Sequence, residues 1–478
     1  MKRRTKIIAT LGPSTDDPEA LRKMIDAGLD AARFNFSHGN QDEQKARLEM
    51  LRSAAAKRGK FVGVIGDLQG PKIRVCRFRE SSVTLKKGHE FFLDPELGKL
   101  EGNKAGVGIA YENLHKDVVP GDALLLNDGQ IILRVIRIDG SRVHTTVEIG
   151  GVLSDHKGVN RQGGGLSADA LTDKDRSDIR FAAEMDMDYI AVSFVRTADD
   201  VREARRLLRE AGGHGRIISK IERAEALDHI DEIIDASDAI MVARGDLGVE
   251  MGYAELTGKQ KQIIKRTRYS NKIVITATQM MESMINSPIP TRAEVSDVAN
   301  AVIDGTDGVM LSAETAIGEY PVEVIDAMSA ICLGAEKHVL ARGRTSHRLD
   351  DRFREVDEAI AMAVMYTANH LNVSAIIALT ESGSTTLWMS RIRSDIPIYA
   401  FTPYDKTCRC VTLYRGVYPV SFKIQKTDLR LLYRDIFQTL LSNKLVEEGD
   451  RVIFTKGALA GVSGSTNSMQ IVEVNTSI

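Results

Sequence analysis

Residues 216–242 read RIISKIERAEALDHIDEIIDASDAIMV, and this pattern indicates the architecture of the whole chain. Short apolar runs at Arg216–Glu222 and Ala239–Val242 enclose a segment with the spacing of a helix. A strand, a helix and a strand in this order predict a βαβ unit, in which the two strands lie parallel in one sheet. The segment therefore predicts an α/β fold.

The same alternation extends from this segment toward both ends of the chain. The other predicted strands are Lys6–Leu11, Ala31–Ser37, Phe61–Leu68, Tyr189–Phe194, Lys272–Thr278 and Gly308–Ser312. Helical spacing at Pro18–Ala27 and Asp42–Lys57 separates the first three strands. Eight strand–helix units predict a (β/α)8 TIM barrel. The strand count alone leaves open a doubly wound open sheet.

The pattern changes after Gly70-Pro71, where β-type runs are separated by turns such as Asn127-Asp128-Gly129. Little helix is indicated in this region. We predict that residues 72–168 form a β-barrel lid domain, inserted after the third strand of a catalytic barrel that comprises residues 1–71 and 169–340.

A smaller α/β domain is predicted at the C-terminus, over residues 352–478, after a polar linker at Ala341–Asp351. Its predicted strands are Ser374–Leu379, Ile396–Phe401 and Arg451–Thr455. Its predicted helices are Val356–His370, Thr385–Arg393 and Asp428–Glu447. This alternation again favours a parallel sheet covered by helices.

Composition and charge fit this three-domain organisation. The chain has 478 residues, and domains of about 150 residues would make three of them. Lys and Arg number 64 against 66 Asp and Glu, so the net charge of −2 gives no general attraction to nucleic acid or to an anionic membrane. Four scattered cysteines and the lack of a long apolar run predict reduced thiols, no membrane span and a cytoplasmic location.

Polar side chains recur at the carboxyl ends of the predicted barrel strands. They are Arg33, Asn35, Ser37, Asp67, Lys220, Glu222, Asp246, Thr276, Thr278, Ser312 and Glu314. Taken singly, each has an ordinary structural explanation as an ion pair, a turn residue or a helix cap. Their recurrence on so many strands indicates an active site instead, because barrel enzymes place it at this rim.

The residue types narrow the chemistry of the rim. Glu222 and Asp246 are hard oxygen ligands of the kind that Mg²⁺ prefers. Lys220, Arg33 and Arg74 can neutralise a phosphate group and a developing anion. The sequence has no His/Cys metal cluster, no nucleophile elbow and no Gly-Lys-Ser/Thr phosphate loop. We therefore predict a magnesium-assisted enzyme that acts on a phosphorylated, carboxylated small molecule.

A set of segments resembles the pyruvate kinase family, and the resemblance spans essentially the whole chain. The segments are Thr5–Pro13 (TKIIATLGP), Arg33–Gly39 (RFNFSHG), Asp67–Arg74 (DLQGPKIR), Lys157–Asn160 (KGVN), Ile218–Glu222 (ISKIE), Met241–Glu250 (MVARGDLGVE), Thr276–Glu282 (TATQMME) and Leu311–Ala316 (LSAETA). The resemblance implies transfer of the phosphoryl group from phosphoenolpyruvate to ADP, giving pyruvate and ATP in glycolysis. It also implies Mg²⁺ as the cofactor, with Mn²⁺ as a substitute, and a homotetramer.

The resemblance further implies a role for each residue of the rim. Catalytic and substrate-binding roles fall to Arg33, Lys220, Gly245, Asp246, Thr278, Ser312 and Glu314. Nucleotide contacts fall to Asn35, His38, Arg74 and Lys157. The ligands of the divalent ion are Glu222 and Asp246. A monovalent-cation site comprises Asn35, Ser37, Asp67 and the carbonyl oxygen of Leu68.

Lys72 departs from the potassium-dependent members of the family, many of which carry Glu at this position. Its ammonium group would supply the positive charge that K⁺ otherwise brings. The resemblance therefore implies that activity does not require K⁺. The alternative interpretation is a surface lysine at the hinge of the lid.

The C-terminal domain resembles the effector domain of the family. A hydroxyl-rich loop suited to phosphate at a helix N-terminus comprises Thr380, Ser382, Gly383, Ser384 and Thr385. The glycine-rich segment Thr455–Ser465 would close over this loop. Ser384 stands where several fructose-bisphosphate-activated members have Arg, so we expect an activator with one phosphate, a sugar monophosphate or AMP. A plain helix cap is the alternative.

Two rival functions stay open at this point. A catalytically silent sensor of phosphorylated metabolites on the same scaffold would be expected to lack Lys220, Glu222 or Asp246, and all three are present. Another Mg²⁺-dependent barrel enzyme for phosphoenolpyruvate or pyruvate, such as a C–C lyase, would not need Lys157 or Arg74.

Overall fold

Eight parallel strands close into a barrel in the structure, a computed structural model that describes residues 2–341, 352–353, 355–423, 429–457 and 466–475. The barrel strands are Lys6–Thr10, Ala31–Asn35, Gly63–Asp67, Tyr189–Val192, Arg216–Ile221, Ala239–Ala243, Ile273–Ala277 and Gly308–Leu311. Each strand pairs with the next along the chain, and the eighth pairs with the first. The predicted (β/α)8 barrel is confirmed, and the open-sheet alternative is wrong because no barrel strand lies at an edge.

Helices surround the barrel and return the chain to the start of each following strand. They are Pro18–Ala27, Gln41–Lys57, Asp173–Glu184, Ala198–Glu210, Ile230–Ala236, Tyr253–Tyr269, Arg292–Asp304 and Pro321–Ala341. Two shorter helices, Arg244–Met251 and Ala313–Ala316, begin directly after the sixth and eighth strands. Single 3₁₀ turns lie at Pro13–Thr15, Glu225–Leu227 and Glu282–Ile285. The two extra helices therefore begin at the rim where the active site is predicted.

The pleat of the strands decides which side chains enter the barrel. On the fifth strand, Ile218 belongs to the apolar cluster that fills the interior. Ile217 and Ile221 belong to the cluster packed between the strands and the surrounding helices. Because successive side chains alternate, Arg216 and Lys220 share the inward face with Ile218. The interior is thus apolar in the middle and carries a charged residue of this strand at each end.

Residues 72–168 build a β structure with its own apolar core. The strands are Ser82–Leu85, Glu90–Asp94, Gly106–Gly108, Ala123–Leu126, Ile131–Asp139, Arg142–Ile149, Gly151–Ser154 and Val159–Arg161. Six of them form one curled sheet, and two form a small sheet beside it. A one-turn helix, Leu114–Asp117, is the only helix here among the described residues. The core includes Phe91, Leu93, Leu124 and Leu133, so this region does not depend on the barrel for burial.

The C-terminal part forms a five-stranded sheet with helices. Its strands are Ala375–Leu379, Ile398–Thr402, Val417–Ser421, Arg451–Gly457 and Thr466–Glu473. Its helices are Val356–His370, Ser384–Ser390, Asp405–Val411 and Leu429–Ser442. The predicted α/β architecture is confirmed, although two of its strands and one of its helices were not predicted. Residues 342–351 of the predicted linker, 458–465 of the glycine-rich segment and Asp428 lie outside the described residues.

The four cysteines are unpaired, as predicted. Within the described ranges, no helix has the length and apolar character needed to cross a membrane.

Candidate active site

A polar layer closes the interior of the barrel at the carboxyl ends of its strands. Thr10, Arg33, Asp67, Ser193 and Lys220 each lie two residues beyond an inward apolar side chain of their strand. The strands alternate in and out, so these five side chains point toward one another. The sequence pattern thus brings residues from five separated parts of the chain into one layer.

Ion pairs join the members of this layer. Arg33 Nε lies 2.5 Å from Asp67 Oδ2. Lys220 Nζ lies 3.2 Å from Asp67 Oδ1 and 2.9 Å from Glu222 Oε1. Lys220 also donates a hydrogen bond to Ser193 Oγ at 2.7 Å. The ammonium group of Lys220 is therefore held by two carboxylates and a hydroxyl.

Burial and opposite charge act against each other in these pairs. Burial disfavours the charged form of Asp67, but Arg33 and Lys220 outweigh it and lower the pKa of that carboxyl. Burial likewise disfavours the ammonium of Lys220, yet Asp67 and Glu222 raise its pKa above the ordinary value. Lys220 is thus a permanent cation at the floor of the site and is unsuited to act as a base.

Glu222 and Asp246 form a pair of neighbouring carboxylates beside this cation. Burial raises the pKa of Glu222, Lys220 opposes that rise, and the charge of Asp246 adds to it. Glu222 Oε2 accepts a hydrogen bond from the backbone N–H of Phe194 at 2.8 Å. Two carboxylates that repel each other in a cleft are suited to a divalent cation.

No cluster of three or more His, Cys, Asp or Glu side chains that could hold a metal occurs among the described residues. A divalent ion at Glu222 and Asp246 would therefore take its other ligands from substrate oxygens and water. Mg²⁺ binds in this way, through one or two carboxylates. The donor set fits the predicted ion.

The helix Arg244–Met251 begins at the rim and is tied to the loop after the seventh strand. Its Gly245 N–H donates to Thr278 Oγ at 2.8 Å, and Arg244 Nη2 donates to the carbonyl of Thr278 at 2.7 Å. Thr278 itself has a φ of 68°, an unusual conformation for a β-branched residue. This strained turn places its hydroxyl beside the first amides of the helix, where they can bind a carboxylate.

A cleft of about 170 Å³ opens above the polar layer. Its lining includes the predicted residues Arg33, Asn35, Ser37, His38, Leu68, Lys72, Arg74, Lys220, Glu222, Asp246 and Thr278. It also includes Gln69, Ser193, Phe194, Met241, Ala243 and Met310, which the sequence analysis did not name as site residues. The signal that could have found Ser193 is its position at the end of the fourth predicted strand, which was otherwise without a polar candidate.

Six predicted residues do not line this cleft, namely Asp67, Lys157, Gly245, Thr276, Ser312 and Glu314. Glu314 is buried, and its carboxylate accepts backbone N–H bonds from Ser312 at 2.6 Å and Met281 at 3.2 Å. Glu314 therefore joins the loops that follow the seventh and eighth strands. Lys157 lies in the β region inserted after the third barrel strand, where its carbonyl oxygen accepts a bond from Val75 N–H at 2.9 Å.

The mouth of the cleft is positively charged. Burial lowers the pKa of His38, and the nearby charges of Arg74, Arg33 and Lys72 lower it further, which favours the neutral imidazole. Lys72 Nζ lies 3.3 Å from Asp246 Oδ1. Arg74 Nε is buried without a hydrogen-bond partner. Cations that outnumber their local acidic partners favour a polyanionic ligand.

Thr380, Ser382 and Gly383 lie between the strand Ala375–Leu379 and the helix Ser384–Ser390, and Ser384 and Thr385 are the first two residues of that helix. Gly383 has a φ of 84°, and its N–H donates to Thr380 Oγ at 2.9 Å. Thr385 is buried, and its hydroxyl pairs with that of Thr466 at 2.7 Å. Ser382 Oγ lies 3.4 Å from Ser384 Oγ. The hydroxyl of Thr385 thus has a partner within the domain.

Nearly the whole sequence is similar to proteins of one family. The family model "Pyruvate kinase, barrel domain" matches residues 2–325, and "Pyruvate kinase, alpha/beta domain" matches residues 358–472. The chain is 53% identical over 476 residues to "Pyruvate kinase II" of Salmonella typhimurium, with 99% of each chain covered. It is 50% identical over 475 residues to a pyruvate kinase of Haemophilus influenzae, covering 98% of this chain and 99% of that one. It is 42% identical over 472 residues to a pyruvate kinase of Sporosarcina psychrophila, covering 98% of this chain and 80% of that one.

Proposed function

The chain belongs to the pyruvate kinase family and is a phosphotransferase, and we propose that it transfers the phosphoryl group of phosphoenolpyruvate to ADP. The observation that supports this most strongly is the buried ammonium of Lys220, which contacts Glu222 beneath a cleft with a cationic mouth. Phosphoryl transfer needs positioning and neutralisation of charge more than covalent catalysis by the protein. The site offers both.

In the proposed reaction, a terminal phosphate oxygen of ADP attacks the phosphorus of phosphoenolpyruvate, and the bond from phosphorus to the enol oxygen breaks. The enolate that leaves takes up a proton at carbon and becomes pyruvate. Lys220 stabilises the enolate oxygen, and Arg33 orients the phosphoryl group. A divalent ion, Mg²⁺ or Mn²⁺, bound by Glu222 and Asp246 supplies further positive charge.

The remaining roles follow the same arrangement. Thr278 and the N–H groups of Gly245 and Asp246 bind the substrate carboxylate. Ser312 and Glu314 belong to the relay that delivers the proton.

We assign the nucleotide contacts to Asn35, His38, Arg74 and Lys157. Lys157 belongs to the lid, so closure of the lid would bring it to the nucleotide and exclude water from the transfer. We propose residues 1–71 and 169–340 for the barrel, 72–168 for the lid and 352–478 for the C-terminal domain. A cytoplasmic homotetramer completes the proposal.

We propose that Lys72 replaces the monovalent cation of the site formed by Asn35, Ser37, Asp67 and Leu68. Lys72 lines the cleft and lies 3.3 Å from Asp246, so its charge is already within the site. The unchanged chain should be fully active without K⁺, whereas Lys72→Glu should need K⁺ for activity. A rate without K⁺ below about a tenth of the rate with K⁺ in the unchanged chain would contradict this.

We propose that a sugar monophosphate or AMP binds the loop of Thr380, Ser382, Gly383, Ser384 and Thr385 and activates the enzyme. The test is the initial rate at low phosphoenolpyruvate with each compound added. Ser384→Arg should shift the preference toward fructose bisphosphate, because a guanidinium would receive the second phosphate. Equal activation of both chains by every compound would contradict this assignment.

The main experiment measures pyruvate formed from phosphoenolpyruvate, ADP and Mg²⁺ by the intact chain. We expect sustained turnover that stops when Mg²⁺ is chelated and returns when Mg²⁺ or Mn²⁺ is added. Asp246→Asn should raise the Mg²⁺ concentration needed for half-maximal rate. Absence of turnover with and without K⁺, even with sugar phosphates present, would favour a silent sensor of phosphorylated metabolites.

A further inference from the structure

Four arginines meet at the opposite end of the barrel from the active site, where the barrel contacts the C-terminal domain. Arg4 precedes the first barrel strand, and Arg268 lies in the last turn of the helix Tyr253–Tyr269. Arg393 and Arg415 belong to the C-terminal domain, after the helix Ser384–Ser390 and before the strand Val417–Ser421. We call these four residues the arginine cluster.

The guanidinium groups of Arg268 and Arg393 approach the same point from the two domains. A methyl group added at Gly305 would lie 2.5 Å from Arg268 Nη1 and 3.0 Å from Arg393 Nη2. Gly305 ends the helix Arg292–Asp304 with a φ of 98°. Glycine is suited to this position because it adopts a positive φ without strain. The two guanidinium groups also occupy the space that a side chain would need.

Two buried acidic residues near the cluster, Asp307 and Glu336, already accept several hydrogen bonds. Asp304 lies near Arg393 and Asp395 lies near Arg4. Asp307 receives two hydrogen bonds from Arg391, at 2.9 and 2.7 Å. Glu336 accepts the backbone N–H groups of Arg4 and Thr5 and the hydroxyl of Thr5. These two carboxylates therefore leave little acceptor capacity for the cluster.

The cluster is short of partners in the described part of the chain. Arg415 Nη2 lies 3.9 Å from Glu336 Oε1, which is a long ion pair. Arg393 Nη2 donates to the carbonyl of Ile303 at 2.8 Å. Arg4 and Arg415 are 5% and 8% exposed, and Arg4 Nη2 and Arg415 Nε have no hydrogen-bond partner. Buried guanidinium nitrogens without acceptors are costly, so an acceptor placed between these side chains would stabilise the cluster.

The charges of the cluster also destabilise one another. Burial lowers the pKa of Arg268 to about 10, and Arg393, Arg391 and Arg415 contribute to the decrease against the opposing effect of Asp307. Burial and the charge of Arg415 lower the pKa of Arg393 as well, against the opposing effect of Asp304. A guanidinium keeps its charge at neutral pH even so, and the repulsion must be offset by something else.

We propose that the arginine cluster binds a phosphate group, either inorganic phosphate or a phosphomonoester dianion, between the barrel and the C-terminal domain. Guanidinium forks match the spacing of phosphate oxygens, and a dianion offsets more than one of the four charges. None of the four arginines lines the active-site cleft, and none belongs to the loop of Thr380 to Thr385. It does not depend on the proposed catalytic function.

The test is equilibrium dialysis of the full chain against radiolabelled inorganic phosphate at constant ionic strength. The variant is Arg268→Gln combined with Arg393→Gln. The matched control is Arg266→Gln, because Arg266 lies in the same helix but is exposed. Its guanidinium lies 3.4 Å from the carboxylate of Asp231 and does not belong to the cluster. We expect the double variant to bind one phosphate fewer per chain than the control. Equal phosphate binding by the double variant and the control would overturn the proposal.

Thermal unfolding gives a second readout that does not depend on binding stoichiometry. Without phosphate, the double variant should be at least as stable as the unchanged chain, because the substitution removes repulsion. With phosphate at about a hundred times its dissociation constant, the unchanged chain should gain several degrees and the double variant should not. An equal gain with chloride at the same ionic strength would overturn the proposal.

Competition identifies the source of the phosphate group. If AMP displaces one more labelled phosphate per chain from the control than from the double variant, the site binds a phosphomonoester. Retention of the label in excess AMP would assign inorganic phosphate. Either result supports a phosphate site, provided that the double variant has lost it.

Discussion

The two ends of the barrel interior use the same strands in opposite ways. At the amino ends, three side chains donate hydrogen bonds to carbonyl oxygens of the C-terminal domain. Lys6 donates to Val417 at 2.7 Å, Tyr189 to Cys410 at 2.7 Å, and Arg216 to Ser382 at 2.9 Å. At the carboxyl ends of these strands lie Thr10, Ser193 and Lys220, beside the cleft. Each of the three strands thus carries a docking residue at one end and a residue of the polar layer at the other.

The difference lies in the partners. A backbone carbonyl is neutral and fixed, so a donor bound to it holds two domains in register. The partners of Lys220 are the carboxylates of Asp67 and Glu222, next to an open cleft. Charged side chains around an open cleft can stabilise the negative charge that moves from one group to another during phosphoryl transfer.

The sharpest test of this comparison is the same substitution at both ends. Lys220→Met should lower kcat by about a thousandfold, because it removes a fixed cation at the point where negative charge develops. Lys6→Met should leave kcat within a few fold and lower stability instead, because the carbonyl of Val417 loses its buried donor and Asp30 loses a cation 3.7 Å away. The measurements are pyruvate formation and urea unfolding. Comparable losses of kcat in the two variants would show that the ends do not differ in function.

A second test concerns the buried ion pair between Arg391 and Asp307 at the docking end. Arg391→Met should lower the free energy of unfolding by about 3 to 5 kcal/mol, because it leaves the carboxylate of Asp307 uncompensated. The kcat of the folded enzyme should change little. Addition of Asp307→Asn should recover part of the stability, since the amide oxygen can still accept from Val274 N–H. A double variant no more stable than the single variant would contradict a role for the unpaired charge.

The barrel was predictable because its strands are short apolar runs that alternate with helices. The positions at which these strands end could not be predicted in the same way. The predicted strands extended to Ser37, Phe194 and Thr278, whereas the structure ends each one or two residues earlier. Phe194 and Thr278 have φ values of 56° and 68°, which turn the chain over the cleft. Hydrophobic periodicity cannot detect such turns, because local sequence alone does not favour them.

The missed strand Val417–Ser421 has a different cause. It contains Pro419, which argues against a central strand because proline has no N–H to donate. The sheet order places this strand at an edge, where one side needs no ladder bond. The arginine cluster was also invisible in the sequence, since its members come from distant segments that only the docking of two domains brings together.

A third test examines Glu250, which lies between the barrel and the lid on the open side. Its carboxylate accepts bonds from Asn160 of the lid at 3.3 Å and from Ala224 N–H at 2.9 Å. Burial raises its pKa from 4.5 to about 7, with Glu225 adding to the rise and Arg223 opposing it. The folded state therefore binds this proton more tightly than the unfolded state does.

Because the folded state has the higher pKa, the contribution of Glu250 to the free energy of unfolding falls as the pH rises from about 4.5 to 7. The total decrease is at most about 3 kcal/mol, and the contribution stays low above pH 7. Glu250→Gln should remove this part of the pH dependence, so its advantage over the unchanged chain should grow with pH. Unfolding in urea at several pH values measures the difference. A constant difference between the two chains across this range would contradict the raised pKa.

The smallest expected change in kcat is that of Ser193 variants. These variants separate the effect of the position of Lys220 from the effect of its charge. Ser193 Oγ accepts from Lys220 Nζ at 2.7 Å and donates to the carbonyl of Leu68 at 2.7 Å. Ser193→Ala removes one contact of the ammonium but leaves both carboxylates, so kcat should fall by only about fivefold, the equivalent of one hydrogen bond. Ser193→Thr keeps the hydroxyl and should retain most of the rate. An equal loss of activity in Ser193→Ala and Lys220→Met would show that the position of the ammonium matters as much as its charge. The carboxyl end of the barrel would then depend on fixed hydrogen bonds, as the docking end does.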